Sequence, residues 1–496
     1  MSPATPHAHA HTSHGDAPET DAPVQLIPLR FWWLKRVGIA GAGVVILFVI
    51  LLARVEIRSR GLLESRIQRW RTAGEPVLVK DFNGRAPVPD ERNAAALYSQ
   101  ALMARAWPTD LGAKVDIDTL WDLAPHIAEA RKVVAINQPM LDLIRQGGAM
   151  DEVDWGVRVS SPMIFTVLPA LSNIRQAARV TGLAADVAAY DGRDTDAINR
   201  LHDLIRLGRQ TARGSFGLLP LYVGRSILRI GYAHIERIAP RVTGGLDGDV
   251  TSPQTAEALR RLIDLLLDQS AMRLAWRNAF LSQRAMIIDT AAHFLDGSID
   301  PSTLSGRSSV GAATRYHVMR IIVGPLWRRD AVRCADALTR VAEIDVTGLY
   351  AQGTRLLERI SADRLAADEL FSPVSAMLLV NCTSSVQAAS HDTCAARMAA
   401  CALAVRWYEL DHGHRPATLA MLVPDYLPAV PIDPFDPDGG PIRYRPDATP
   451  ARLYSLGVDQ VDDGGTYGRS ADRRRRWRNK DIVFFLDPAL DPGGGY

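Results

Sequence analysis

Residues 178–209, ARVTGLAADVAAYDGRDTDAINRLHDLIRLGR, decide the fold class. Apolar side chains recur at helical spacing on both sides of Tyr190-Asp191-Gly192-Arg193-Asp194. Gly192 suits the left-handed conformation that closes a helix, and Asp194 or Thr195 is expected to cap the next one. The pattern predicts an antiparallel helical hairpin with Leu183, Val187, Ile198, Leu201, Leu204 and Ile205 inside. The same Ala- and Leu-rich text extends in both directions. It predicts helices near 92–105, 119–146, 168–191, 194–213, 217–238, 252–269, 271–294, 313–324, 328–345 and 348–369.

Helix pairs with a short Gly turn are weakly similar to tetratricopeptide-type units, but no unit recurs here at their period of ~34 residues. Residues 92–383 are therefore expected to form an irregular all-α helical body. Its two long polar breaks, 244–253 and 298–310, read as loops at one end of a bundle or as subdomain boundaries. A chain of 496 residues is longer than one ordinary core and implies several units. Its net charge of +2 points to neither nucleic acid nor acidic partners. Only five of the 57 basic residues are lysine, a bias that reads as genome base composition rather than binding chemistry.

One segment departs from the soluble average. Residues 37–53, VGIAGAGVVILFVILLA, carry no charge, and that length is the short end of a membrane-spanning helix. Phe31, Trp32 and Trp33 stand where an interfacial aromatic belt lies, with Lys35 and Arg36 placed to snorkel. Arg54 follows the run directly, without the small residues of a cleavage site, so residues 31–54 read as an uncleaved anchor. Residues 1–30 form a His- and Pro-rich tail that is expected to be disordered, and His7, His9, His11 and His14 read as low complexity rather than a metal site. Residues 55–91 read as a juxtamembrane helix, stopped by Ala73-Gly74-Glu75-Pro76, and a linker. The Gly38-x-x-x-Ala42 spacing would permit a homodimer through the span.

Beyond the body, a further helix expected over 394–410 ends in Tyr408, Asp411, Gly413 and Pro416. Leu419, Leu422, the turn Pro431-Ile432-Asp433-Pro434-Phe435, Tyr444, Tyr454, Ser455, Gly457, Asp459, Asp481 and Ile482 follow in that order. This order resembles the C-terminal head of the major pseudopilin family of type II secretion systems. The resemblance implies that residues 384–496 form a small α+β head, one helix packed on a three- or four-stranded antiparallel sheet. The expected fold class is therefore mainly α: a single transmembrane helix, an irregular all-α body and this head.

Heads of that family bind calcium in the loop between the last strands, so the resemblance implies Asp459 and Asp481 as ligands, completed by carbonyls near 453–456. The residues also suit calcium on their own terms. Asp459, Asp462 and Asp463 beside Gly464-Gly465 offer hard oxygens on a pliable backbone. An EF-hand register from Asp459 fails, because Val461 and Ser470 occupy its third and twelfth positions. The candidate metal set is Asp459, Asp462, Asp463 and Asp481; the competing reading is a solvated acidic turn balanced by arginines.

Two departures from the family pattern matter. Residues 466–480, TYGRSADRRRRWRNK, are inserted in that loop, where Arg473 to Arg476 read as an exposed hairpin tip rather than a lipid or nucleic-acid site. The anchor also lacks the glutamate and cleavage motif of a pilin subunit, so processing and polymerisation are not expected.

Basic residues after the span outnumber those before it, which favours a cytoplasmic C-terminus. The pseudopilin resemblance implies the opposite, an exoplasmic head on a bacterial inner-membrane protein, and is preferred here. Cys334, Cys382, Cys394 and Cys401 show no zinc spacing and read as free thiols, with a Cys382–Cys394 bridge as the alternative. None of the common hydrolase, Walker or dinucleotide motifs is present. His202 with Asp203 and His234 with Glu236 read as structural, and His412 and His414 as helix caps. The expected function is a non-enzymatic structural or docking component attached to an envelope assembly; a peptide-binding helical scaffold or an unrecognised enzyme are the alternatives.

Overall fold

The structure, a computed structural model, describes residues 32–108, 123–168, 171–214, 216–244, 251–299, 310–365, 382–466 and 481–487. The tail to Phe31, with its four histidines, and the Arg473–Arg476 run lie outside them. Residue contacts divide the chain between Val55 and Glu56.

In the first unit the described residues belong to helix α1, Trp32–Thr72. Among the described residues it is the one helix long and apolar enough to cross a membrane. Val44, Ile46, Leu47 and Val49 on it are exposed, and the Arg36 guanidinium lies 3.8 Å from the Trp32 ring centroid.

The second unit opens with the rest of α1, which ends as the glycine signal predicts. Gly74 adopts φ 74°, and the Glu75 N–H returns to the Trp70 carbonyl at 3.0 Å. Leu63, Ile67 and buried Trp70 pack with Ile288 and Ala335. Arg284 locks this contact: its side chain is fully buried, its guanidinium lies 4.5 Å from the Trp70 ring centroid, and its Nη1 donates to Glu75 at 2.6 Å.

The chain then runs through α2 (Val79–Asn83), α3 (Ala94–Ala104), α4 (Leu123–Ile136), α5 (Gln138–Gly148), α6 (Leu171–Tyr190), α7 (Asp194–Arg213), α8 (Leu218–Ile238), α9 (Pro253–Leu267), α10 (Ser270–Asp296), α11 (Val310–Ala342), α12 (Tyr350–Leu365) and α13 (Cys382–His412). The hairpin is α6 and α7, and all six residues expected inside it are buried. Each such leucine-sized burial stabilises by ~1.5–3 kcal/mol. Gly192 closes α6 at φ 72°, with the Arg193 N–H on the Ala188 carbonyl at 2.9 Å. Asp194 does not cap α7 as expected. Its Oδ2 instead accepts from Thr243 N and Oγ1, both at 2.8 Å, and from Gly244 N at 3.0 Å, tying in the turn after α8.

Other boundaries also shift. The helix expected over 119–146 is broken between α4 and α5, where the Asn137 side chain leaves the helix to pair with both the N–H and the carbonyl of Ala106. Conversely, Pro325 does not separate two helices, and α11 runs through it. A proline inside a helix costs ~3 kcal/mol, which the burial of Trp327, Ala331, Cys334, Ala335 and Leu338 offsets.

The last helix is longer than expected. With α13 starting at Cys382, Cys382 and Cys394 share one helix about 18 Å apart by helical rise, so no bridge forms. Cys334, Cys394 and Cys401 are buried free thiols. Alanines at 395, 396, 399, 400, 402 and 404 are buried, a small-residue surface that lets α8, α9 and the sheet approach α13. Three antiparallel strands follow in the order β1 (Arg443–Arg445), β2 (Arg452–Ser455), β3 (Ile482–Phe485). Leu453 pairs with both Tyr444 and Phe484. A single apolar cluster reaches from Ile198 and Leu262 in the helical part to Leu453 and Phe484 in the sheet. The boundary expected at 384 thus falls inside the first turn of α13.

Candidate functional site

The residues that follow α13 gather around one buried carboxylate. Asp433, in the turn Pro431–Phe435, is wholly inaccessible to solvent. Its Oδ1 accepts from Phe435 N at 2.9 Å and from the Ser455 hydroxyl at 2.6 Å, and its Oδ2 from Leu456 N at 2.9 Å. One side chain therefore joins the turn to the end of β2. Burial pushes the Asp433 carboxyl up, while the Ser455, Leu456 and Phe435 donors and the Arg443 charge pull it back.

Arg443, on β1, completes the cluster. Its guanidinium reaches Asp433 Oδ2 at 3.4 Å, Asp436 Oδ2 at 2.9 Å and Asp462 Oδ2 at 3.1 Å. Asp436 is held below the usual carboxylate range, because the Arg443 hydrogen bond and turn N–H donors outweigh its burial.

The acidic loop stands beside this cluster. Asp481 is buried and accepts from Gly465 N at 2.6 Å and Asp463 N at 3.5 Å. Burial pushes its carboxyl up; those backbone donors oppose the rise, and the charges of Asp462 and Asp463 add to it. Asp459 is exposed and its Oδ1 accepts from Val461 N at 3.3 Å, while Asp462 is divided between Arg443 and Gly464 N. Of the expected ligands, Asp462 and Asp463 act electrostatically on Asp481, and Asp481 and Asp462 are already engaged by backbone N–H groups and Arg443. Among the described residues no three His, Cys, Asp or Glu side chains converge as a metal site. Of the inserted residues, 467–480 lie outside the described residues.

The turn is docked on the helices. The Tyr350 N–H donates to the Pro434 carbonyl at 2.7 Å, the Tyr350 and His391 rings lie 5.1 and 5.0 Å from the Phe435 ring, and Arg397 donates to the carbonyls of Ile432 and Thr347. On the far side, Glu236 of α8 accepts from Phe485 N at 2.9 Å. His234, which the sequence paired with Glu236, lies instead with its Nδ1 3.0 Å from Asp186 on α6. Its side chain is fully buried, and burial holds its pKa down. His412 Nδ1 lies 3.0 Å from the Tyr408 carbonyl, one turn back, as a helix cap does.

Sequence reasoning missed Arg443 and Asp436, and it missed a buried clamp on α13. Asp392 there is held by Arg225 and by Arg229, the latter at 2.6 Å, both from α8. Asp203, read with His202 as structural, has a carboxyl that burial pushes up to about 7. Neither adjacency nor periodicity marks these positions in the text. No family model, curated protein or solved structure matches the chain.

Proposed function

We propose that this chain is a non-enzymatic, single-span protein of the bacterial inner membrane whose C-terminal region is a pseudopilin-like head, exposed on the exoplasmic side and docking on a secretion or pilus-like assembly. The observation that carries the reading is the Asp433 lock. The turn and the Ser-x-Gly-x-Asp segment that carry the family resemblance meet through it, behind a helix laid on a three-stranded antiparallel sheet. Ile432, in the turn, and Val461, in the acidic loop, are 40% and 55% exposed and would offer apolar side chains to a partner. Calcium belongs to the proposal as a ligand that would reorganise the 459–481 loop. Cross-linking in intact cells, followed by purification from membranes, tests the docking. Recovery of inner-membrane platform proteins, lost in Ile432→Glu with Val461→Glu, supports it; a chain recovered without such partners sinks it.

A second reading, a helical peptide-binding scaffold, is favoured by one feature. A cavity of 290 Å³ is lined by Leu102, Met103, Trp155, Leu171 and Ile174, and Met103 is 86% exposed at its edge. Partner recovery lost in Met103→Glu, and kept in the head variants, would favour this scaffold.

A further inference from the structure

The part of α1 beyond Glu56 encloses, with α10 and α11, an open cavity of 380 Å³. That is near the lower end of the ~300–1,000 Å³ of small-molecule sites. Its floor is apolar, made by Leu63, Ile288, Ala291, Leu295 and Ala331, with exposed Ala292 at the edge. Its rim is cationic. Arg60 and Arg328 both line it and both bind the single Glu56 carboxylate, Arg60 with Nε at 2.6 Å. The Arg60 side chain is 66% exposed. Asp296, also at the rim, accepts from the N–H and hydroxyl of Ser298 at 2.8 and 2.6 Å and keeps its charge, but the Arg320 guanidinium, donating to the Leu295 carbonyl at 3.3 Å, acts on it, so three guanidiniums stand against two carboxylates. Arg60 follows Ala53, the end of the apolar run, by seven residues. At ~3.5 Å per residue the chain keeps this rim within roughly 25 Å of the run in any conformation.

We propose that this cavity is a subsite for an anionic phospholipid. One acyl chain lies along Leu63, Ile288 and Leu295, and the phosphate sits between Arg60 and Arg328, whose planar N–H forks match its oxygens. A free phosphate would leave the apolar floor unused, and a zwitterionic headgroup would gain less from the surplus positive charge. The inference rests on α1 being the membrane anchor.

The test uses the full chain in nanodiscs made from equal parts phosphatidylcholine and phosphatidylglycerol, with native mass spectrometry of the lipid retained on release. The expected result is one retained phosphatidylglycerol, favoured over phosphatidylcholine by roughly fivefold. Arg60→Glu abolishes that preference. Ala292→Trp, which fills the cavity from its exposed edge, removes the retained lipid altogether, while circular dichroism stays unchanged. Equal retention of both lipids overturns the proposal, as does a preference that survives both variants. Displacement of the lipid by inorganic phosphate at millimolar concentration would also overturn it, leaving a free-anion site. A chain that never enters the nanodiscs sinks the anchor reading itself, a result separable from entry without lipid selection.

Discussion

Ser455 donates its hydroxyl to Asp433 Oδ1 at 2.6 Å across 22 residues of chain. The two belong to different segments of the terminal region, a proline-bounded turn and the last residue of β2. Neither segment is long enough to hold its shape alone. With Leu456 N, Phe435 N and Arg443 on the same carboxylate, the bond turns them into one rigid corner.

Asp433→Ala should therefore destabilise the second unit by ~3–5 kcal/mol, since it leaves two backbone N–H groups and a guanidinium without their buried acceptor. Ser455→Ala removes one hydrogen bond and should cost about 1 kcal/mol. Urea unfolding of the full chain in detergent, followed by tryptophan fluorescence, separates the two. Equal and small losses would mean that the corner is not held by Asp433.

Asp392 fastens α13 to α8 through Arg225 and Arg229. Burial alone would raise its pKa, but the two arginines outweigh it and hold the carboxyl below its ordinary value. A depressed folded pKa contributes stability above the unfolded value of ~3.9, and that stability is lost as pH falls through the folded value. Asp392→Ala should cost ~3–5 kcal/mol at pH 7 and flatten the acid limb of the stability profile below about pH 4. Thermal melts between pH 2 and pH 7 read both effects, and an unchanged acid limb would assign the limb to other carboxylates.

Asp203 carries the opposite sign. Burial pushes its carboxyl up to about 7, only partly countered by Arg200 and Arg145. A raised folded pKa gives stability that is full below ~3.9 and is lost as pH rises through the folded value. Between pH 5 and pH 8 the native chain should therefore lose on the order of 2–4 kcal/mol that Asp203→Asn does not lose. Unfolding midpoints of the two proteins should converge at low pH and part at high pH; parallel curves would place the Asp203 pKa in the ordinary range.

Calcium provides the last comparison. A ligand at a hundred times its dissociation constant adds about 2.7 kcal/mol, which in a unit of this size raises the melting midpoint by roughly 3–5 °C. Under the proposed head, calcium against EDTA should give such a shift, lost when Asp459→Ala and Asp481→Ala are combined. An unchanged midpoint would remove calcium from the proposal and leave Arg443 as the cation of the turn.

The sequence by itself determined the elements whose signals are local. The apolar spacing around Gly192 specified the α6–α7 hairpin and its six core residues, because a 3.6-residue period is written in the neighbours of each position. Gly74 and the uncharged run at 37–53 fixed the end of α1 and its membrane-compatible character for the same reason. Where the local signal was a single residue, packing overrode it: Pro325 stays inside α11, and Asp194 caps a neighbour's turn instead of its own helix.

Only the tertiary structure decided how the charges are used. Arg225 and Arg229 closing on Asp392, and Arg284 stacked on Trp70, join residues far apart in the chain, and Arg443 gathers three aspartates from the segments on either side of β1. An ionisable side chain looks the same in the text whether it is solvated or buried. Its partner is set when helices pack, because a desolvated charge is tolerated only where the fold brings a counter-charge within a few ångströms.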